Sequence, residues 1–228
     1  MYRTYDTDVS ASHGAVRLTT VAIVRSEAGG TGVEVPRSIE KIRTAALQSF
    51  AAHGTAATTL RGVAAAAGVS LGLVQHHFST KAGLINAVDE YVVDVVITPM
   101  AEPISEHATD SVSEVGQRVN KVFAEHPDVA AYLGRALVDG SQLGVTIFDK
   151  LYEAGLLRWQ QRAERGETRP GIDVPWAVIN ALILPLGAVS MRGHIERNLG
   201  APFTAPEQLQ RWQTAVNELL REGLFRKS

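Results

Sequence analysis

From Ile39 onward, apolar residues recur at intervals of three and four along most of the chain, the spacing of helices that bury one face. Ile39, Ile42, Ala46 and Phe50 form the first stripe, and Gly54 closes it as a C-cap. "TTLRGVAAAAG" follows, with Thr58 or Thr59 as the cap, Leu60, Val63, Ala64 and Ala67 as the inner face, and Gly68 as the stop. Ser70 caps a short third helix that reaches about Phe78. A fourth runs from about Ser79 to Ile97 and ends before Pro99.

The helical rhythm continues to the C-terminus. "SVSE" at Ser111–Glu114 has the form of a capping box, and Pro127 opens a further helix. "SQLGVTIFDKLYEAGLLRWQQRAERG" predicts one long helix ending near Gly166. After the loop "RPGIDVP", Asp173 and Pro175 start an apolar helix through Asn198. "NLGAPF" is a break, "TAPE" at Thr204–Glu207 is a second capping box, and the last helix reaches about Phe225. The fold class is all-α. A small N-terminal helical domain over residues 37–83 precedes a larger helical domain over 84–228.

Residues 1–36 depart from this rhythm. They are rich in Thr, Ser, Gly and Val, and carry "EAGGTG" just before Pro36. "AVRLTTVAIV" reads as a lone strand with no partner. The segment is expected to be a flexible arm, or sequence upstream of the natural start. An arm that touches a DNA groove is one role for it.

Composition narrows the chemistry. The 228 residues contain no cysteine, so disulfides, thiolate metal sites and thiol nucleophiles are excluded. "MYRTYDTDVS" does not lead a basic run into an apolar core, and "WAVINALILPLGAV" is too short and interrupted to span a bilayer. The expected location is cytoplasmic, with no membrane partner. Net charge is −2, but residues 37–81 hold five Lys or Arg against one acid, which is +4 there and −6 elsewhere. A basic module on an acidic body is the asymmetry of a chain with one end built to meet a polyanion.

That basic module contains two short helices joined by "AAGVS", the pattern of a helix-turn-helix. Gly68 allows the sharp turn, and Val69 is its buried residue. The small Ala64, Ala65 and Ala67 let the helices cross closely. Val74 and Phe78, four apart, face inward. Leu71, Gly72, Leu73, Gln75 and His76 are left on the outer face, with His77 at its edge. Gln75 can pair with adenine, and Leu71 or Leu73 can meet a thymine methyl. Ser70 leaves the helix N-terminus open to a groove, and His76, His77 and Lys81 stand where phosphates would pass. A metal site at His76 and His77 is disfavoured, because adjacent helical residues point about 100° apart. No nucleophile–base pair, paired carboxylates or phosphate loop appears, so an enzyme is not expected, nor a cofactor.

"FAAHGTAATTLRGVAAAAGVSLGLVQHHFSTKAGL", Phe50 to Leu84, resembles the DNA-binding domain of the TetR (tetracycline repressor) family of bacterial transcriptional regulators. The Phe-x-x-x-Gly end of the first helix, the Thr-rich start of the second, "AAGVS", "HHF" and the following Lys carry the likeness, which covers about residues 38–90. The resemblance implies a ligand-responsive regulator, most simply a repressor, that binds a palindromic operator as a homodimer. It implies that Thr59 and Arg61 approach the DNA backbone, that Leu71, Gly72 and Leu73 face bases, and that His77 and Lys81 bind phosphate. Gln75 stands where the family usually has Tyr, and Leu71 where a polar residue is common. A helical adaptor without sequence-specific DNA binding is the alternative those departures leave.

The resemblance also implies a C-terminal pocket for a small effector that releases DNA, and a four-helix interface made by the last two helices of each subunit. Candidate pocket residues are His126, Tyr132, Arg135, Phe148, Trp159 and Met191, each of which taken singly reads more readily as core or dimer packing. Candidates for the dimer face are Leu182, Leu186 and Val189, with Leu209, Trp212, Val216 and Leu220 on the last helix. The apolar character of these helices points to a largely hydrophobic effector.

Overall fold

The computed structural model describes residues 34–104 and 111–224 as ten α-helices joined by short connections. The expected strand "AVRLTTVAIV" and most of the expected arm lie outside the described residues. The first helix nevertheless begins inside the arm's predicted span: α1 is Glu34–Ala57, broken at Gly54 by a left-handed φ of 81° that only glycine adopts readily. α2 (Leu60–Ala67) and α3 (Leu71–Phe78) follow as the spacing predicts. Their caps are local: Thr59 Oγ accepts from the Gly62 amide, Ser70 Oγ accepts from the Leu73 amide, and Gly68 closes α2 at φ 66°.

α4 (Lys81–Ala101) joins the two halves of the molecule. Its buried stripe Leu84, Val88, Val92, Val96, Met100 steps by four along the whole helix. The predicted stop before Pro99 does not hold, because α4 runs through Pro99 to Ala101. The reason comes from a distant residue. Arg118 of α5 (Ser111–Glu125) donates to the carbonyls of Pro99, Glu102 and Pro103 at 3.0, 2.7 and 2.7 Å, covering the helix end that proline weakens. The capping box at Ser111–Glu114 is likewise redirected. Ser111 is the first residue of α5 and its Oγ accepts from Arg162, while Glu114 pairs with Arg118.

The remaining helices are α6 (Pro127–Val138), α7 (Gln142–Glu164), α8 (Val174–Ser190), α9 (Arg192–Leu199) and α10 (Pro206–Leu224). Ser141 and Asp173 cap α7 and α8 through side-chain bonds to the amide three residues on. The single apolar helix predicted from Asp173 to Asn198 is two helices, since the chain turns by 72° at Met191 between α8 and α9. At the last helix the predicted box gives way to Ala205, whose carbonyl accepts the first helical bond from Leu209, so Thr204 lies one residue outside the cap. Among the described residues, no single helix is long and apolar enough to cross a membrane.

One continuous core runs through both halves, from Ile42, Phe50, Val63 and Val74 to Leu133, Ile147 and Val189. α6 and α8 approach so closely at Gly134 that a Cβ there would lie 2.6 Å from the Val189 carbonyl oxygen. Both groups are backbone, so neither can swing aside. Gly134→Ala is therefore expected to push α6 from α8 and cost about 1–3 kcal/mol. Thermal melting would show it, and an unchanged midpoint would mean that the helices can separate at no cost.

Candidate nucleic-acid interface and internal cavity

α2 and α3 stand at one end of the molecule, held on α1 and the start of α4 by Val63, Val74 and Leu84, all fully buried beside Phe50. The face of α3 away from that core carries Gly72, Gln75 and His76, all exposed. His77 is half-buried, its ring edge-on to Phe78 with centroids 6.3 Å apart. The His76 and His77 rings also meet edge-on, at 5.2 Å. Among the described residues no group of three His, Cys, Asp or Glu gathers there.

Leu71 departs from its expected place on the outer face. It is half-buried and packs against the core, because the first turn of α3 leans on the body of the domain. Leu73 is half-buried as well. Two other expectations inside the motif shift: Val69 is half-buried rather than buried, and Ala65 is exposed. Thr59 and Ser70 are exposed, but their hydroxyls already serve as caps. Arg61 is exposed in the first turn of α2.

Lys81 opens α4 after a tight corner at Ser79 (φ 57°), where Thr80 caps the helix through the Gly83 amide. Its ammonium donates to the Ala56 carbonyl at 3.0 Å and so ties α4 to the end of α1 beyond the Gly54 break. Two of its three protons remain for another acceptor. Thr80 escapes the sequence reading, and of the two cap candidates Thr59 takes the cap while Thr58 serves elsewhere. The Thr58 hydroxyl, buried, donates to the Gly54 carbonyl at 2.9 Å.

A second feature lies in the other half. α4, α5, α6, α7, α8 and α10 line a partly open cavity of about 170 Å³. Most of its wall is apolar, with Val96, Val129, Leu133 and Leu186 among the lining residues. Arg158 and Arg162 of α7, Ser111 of α5, and Gln213 and Asn217 of α10 line it as well. Glycines make the room. A Cβ on Gly116 would lie 3.0 Å from Asn217 Oδ1, and one on Gly155 would lie 2.6 Å from a methyl of Val178.

Of the six residues expected around a pocket, only Trp159 lines this cavity. The others have different neighbours. Tyr132 is buried with its ring 5.9 Å from Phe50, and its hydroxyl donates to Asp89 Oδ1 at 2.8 Å. Burial, outweighing that bond, raises the Asp89 pKa, and burial together with the bond raises that of Tyr132. Arg135 donates to the carbonyls of Ala51 and Ala52 at 3.3 and 3.2 Å, covering the end of the first helix before Gly54. Phe148 packs on the core, His126 precedes α6 at its cap position, and Met191 is exposed at the α8–α9 bend. The sequence points to polar and aromatic residues, but the cavity is built mainly from small and branched ones, which carry no signal of their own.

α6 therefore faces two ways. Val129, Ala130 and Leu133 touch the cavity, while Tyr132, Arg135 and Asp128 hold α1 and α4, the last by accepting from Gln48 at 3.0 Å.

The residues expected at a dimer face divide into two groups within the subunit. Leu186, Val189 and Leu209 are buried within the subunit. Leu182, Trp212, Val216 and Leu220 are half-buried and line the cavity. The outward stripe of α8 consists of Trp176, Asn180, Ile183 and Gly187, with Trp176 58% and Ile183 51% exposed. On α10 the exposed apolar residue is Leu219, at 59%.

Comparison with known proteins adds the following. Residues 42–88 match the sequence model described as "Bacterial regulatory proteins, tetR family". The chain is 29% identical over 133 residues to the HTH-type transcriptional regulatory protein RaaS of Mycobacterium tuberculosis, covering 58% of this chain and 60% of that protein. It is 33% identical over 115 residues to an HTH-type transcriptional repressor of the same organism, covering 49% and 54%. The chain thus spans a little over half the length of the curated relatives it matches. Among solved structures, a TetR transcriptional regulator from Chloroflexus aurantiacus superposes with a TM-score of 0.65 at 18% identity, over 85% of this chain and 99% of that one. SmeT, the repressor of the Stenotrophomonas maltophilia multidrug efflux pump SmeDEF, gives 0.63 at 19%, over 83% and 91%. A SmeT–triclosan complex gives 0.61 at 17%, over 84% and 93%. At these identities the structural likeness concerns the fold.

Proposed function

This chain belongs to the TetR family of bacterial transcriptional regulators, and from that premise we propose that it is a homodimeric repressor released from a palindromic operator by a small, largely hydrophobic effector. The observation that carries the reading is α6, whose one face lines the internal cavity while the other holds α1 and α4 of the helix-turn-helix unit. The DNA-binding unit takes in residues 37–83, and residues 84–228 hold the effector and the partner subunit.

In this reading α3 enters the major groove of double-stranded DNA, one copy per subunit, in half-sites about one helical turn apart. Gly72 allows close approach, and Gln75 and His76 present the polar groups. Arg61, His77 and Lys81 meet phosphates, which supply most of the affinity and make it sensitive to salt. Leu71, half-buried, contributes its position more than a base contact. An effector that binds better when the two α3 helices are wrongly spaced shifts the population off DNA. α4 carries the shift as well, since it starts at the Thr80 corner and reaches the cavity through Val96 and Met100, about 24 and 30 Å along the helix.

Selection of bound duplexes from a random pool at near-physiological salt tests this. Recovery of a palindrome supports a dimeric sequence reader. Recovery of no preferred sequence would favour a protein–protein adaptor instead. Two variants then separate contact types on the recovered site. Lys81→Ala is expected to weaken all sequences alike and lower the salt slope by about 1. Gln75→Ala is expected to relax preference at one base pair per half-site by about 1–3 kcal/mol. If Gln75→Ala only weakened binding uniformly, Gln75 would be a backbone contact.

A further inference from the structure

We propose that the cavity selects a small apolar anion, a carboxylate joined to a single ring or short acyl chain, with its charged head at Arg158. This rests on the effector reading and names the chemical class of the ligand. The cavity lining combines two kinds of group. Val96, Val129, Leu133 and Leu186 are apolar and offer no hydrogen bond. Arg158, Gln213 and Asn217 line it too, and the two amides are buried.

Arg158 carries the argument. Its guanidinium is half-buried in the cavity wall, and it donates to the carbonyl oxygens of Met100 and Glu102. Those acceptors are neutral, and among the described residues no carboxylate pairs with it. Burial lowers its pKa first, then the charge of Arg118, and the opposing pull of Glu114 ranks behind both. A half-buried cation that donates to neutral carbonyls, with a second cation nearby and Glu114 opposing it more weakly, is stabilised by an anion that reaches it. Arg162 also lines the cavity, 5.4 Å over the Trp159 ring and bonded to Ser111, and its charge is opposed by Glu167. The Arg158 guanidinium disfavours an ammonium head and favours a carboxylate over its neutral amide. The volume sets the size of the tail. About 170 Å³ is close to that of an engineered apolar cavity of about 150 Å³ known to accept benzene.

Trp159 and Trp212 in the wall provide the readout. The full chain is titrated with phenylacetate, hexanoate and octanoate, each beside its amide and the matching amine, and tryptophan fluorescence is followed. At least one carboxylate is expected to bind at least tenfold more tightly than its amide, with the amine weakest. Arg158→Gln is expected to abolish the preference for acid over amide, and Arg158→Lys to keep most of it, with both variants checked for folding by thermal melting. Equal binding of acid and amide, an undiminished preference in Arg158→Gln, or no binding by any carboxylate of the set would overturn the proposal. Operator binding, measured with each probe, separates the two readings. An amide that binds as well as its acid and releases DNA leaves the effector reading standing without the anion. An acid that binds selectively and leaves DNA bound supports the anion site and sinks the effector reading.

Discussion

Ile183→Asp combined with Leu219→Glu is expected to yield a folded monomer whose operator affinity is roughly 10²–10⁴ lower. Both side chains are more than half exposed in the subunit, so their replacement removes little internal packing. Surface changes of this kind usually alter stability by about 0.5 kcal/mol or less. In the proposed dimer the same positions meet a partner, and a symmetric interface places each of them twice. Four carboxylates would then be buried with no cation provided for them, which an association of ordinary strength cannot offset. The loss on DNA follows from geometry. The dimer presents its second α3 at a high effective concentration once the first has bound, and linked sites of this sort gain about 10²–10⁴ over one module. Analytical centrifugation reads the mass, thermal melting the fold, and a duplex-binding titration the affinity. A dimer that survives the double change would place the interface away from the outer faces of α8 and α10.

That prediction uses different residues from those the periodicity suggested, and the difference shows what the sequence can carry. Thr59, Ser70, Ser141 and Asp173 each cap the helix they precede, because a cap needs only an oxygen and an amide three residues on. Gly68 and the helix-turn-helix are legible for the same reason. α8 is different. Leu182, Ile183, Leu184, Leu186 and Val189 leave it apolar nearly all round, so no stripe says which side meets its own subunit. α10 has a clear stripe in Leu209, Trp212, Val216 and Leu220, yet a stripe is the same whether it covers a core, a cavity or a partner.

Three further features turn on arginines whose partners the spacing does not announce. Arg118 covers the end of α4, so Pro99 does not stop it. Arg162 donates to the Ser111 hydroxyl, and Glu114 pairs with Arg118 at the start of α5. Arg135 covers the end of the first helix from α6. Of these three arginines, the sequence singles out only Arg135, and for a pocket rather than for this bond. A guanidinium with five donors can satisfy carbonyls wherever the fold brings it, and spacing along the chain does not record where that will be.

Phe50→Ala tests the joint that the proposed mechanism depends on. The ring is fully buried where the helix-turn-helix unit meets α6, among Ile42, Val63, Val74 and Leu84 and 5.9 Å from the Tyr132 ring. Truncation removes the transfer energy of the ring and leaves a void that backbone neighbours cannot fill, and changes of this type cost about 3–5 kcal/mol. Domains have about 5–15 kcal/mol in all, so the loss is a large share. For a chain of this size it corresponds to a fall in melting temperature of roughly 6–20 °C. DNA binding should fall with it, because α1 positions α2 and α3 and loses its main anchor. Leu157→Ala, at a site 59% exposed on α7, serves as the control and should shift stability by about 0.5 kcal/mol or less. Tyr132→Phe in the Phe50→Ala background asks a further question. If ring packing, rather than the bond to Asp89, couples α6 to the DNA-binding unit, the added cost should be small. A loss below 1 kcal/mol in Phe50→Ala itself, with operator binding intact, would mean that Arg135 and Gln48 hold the joint and that the aromatic contact is incidental.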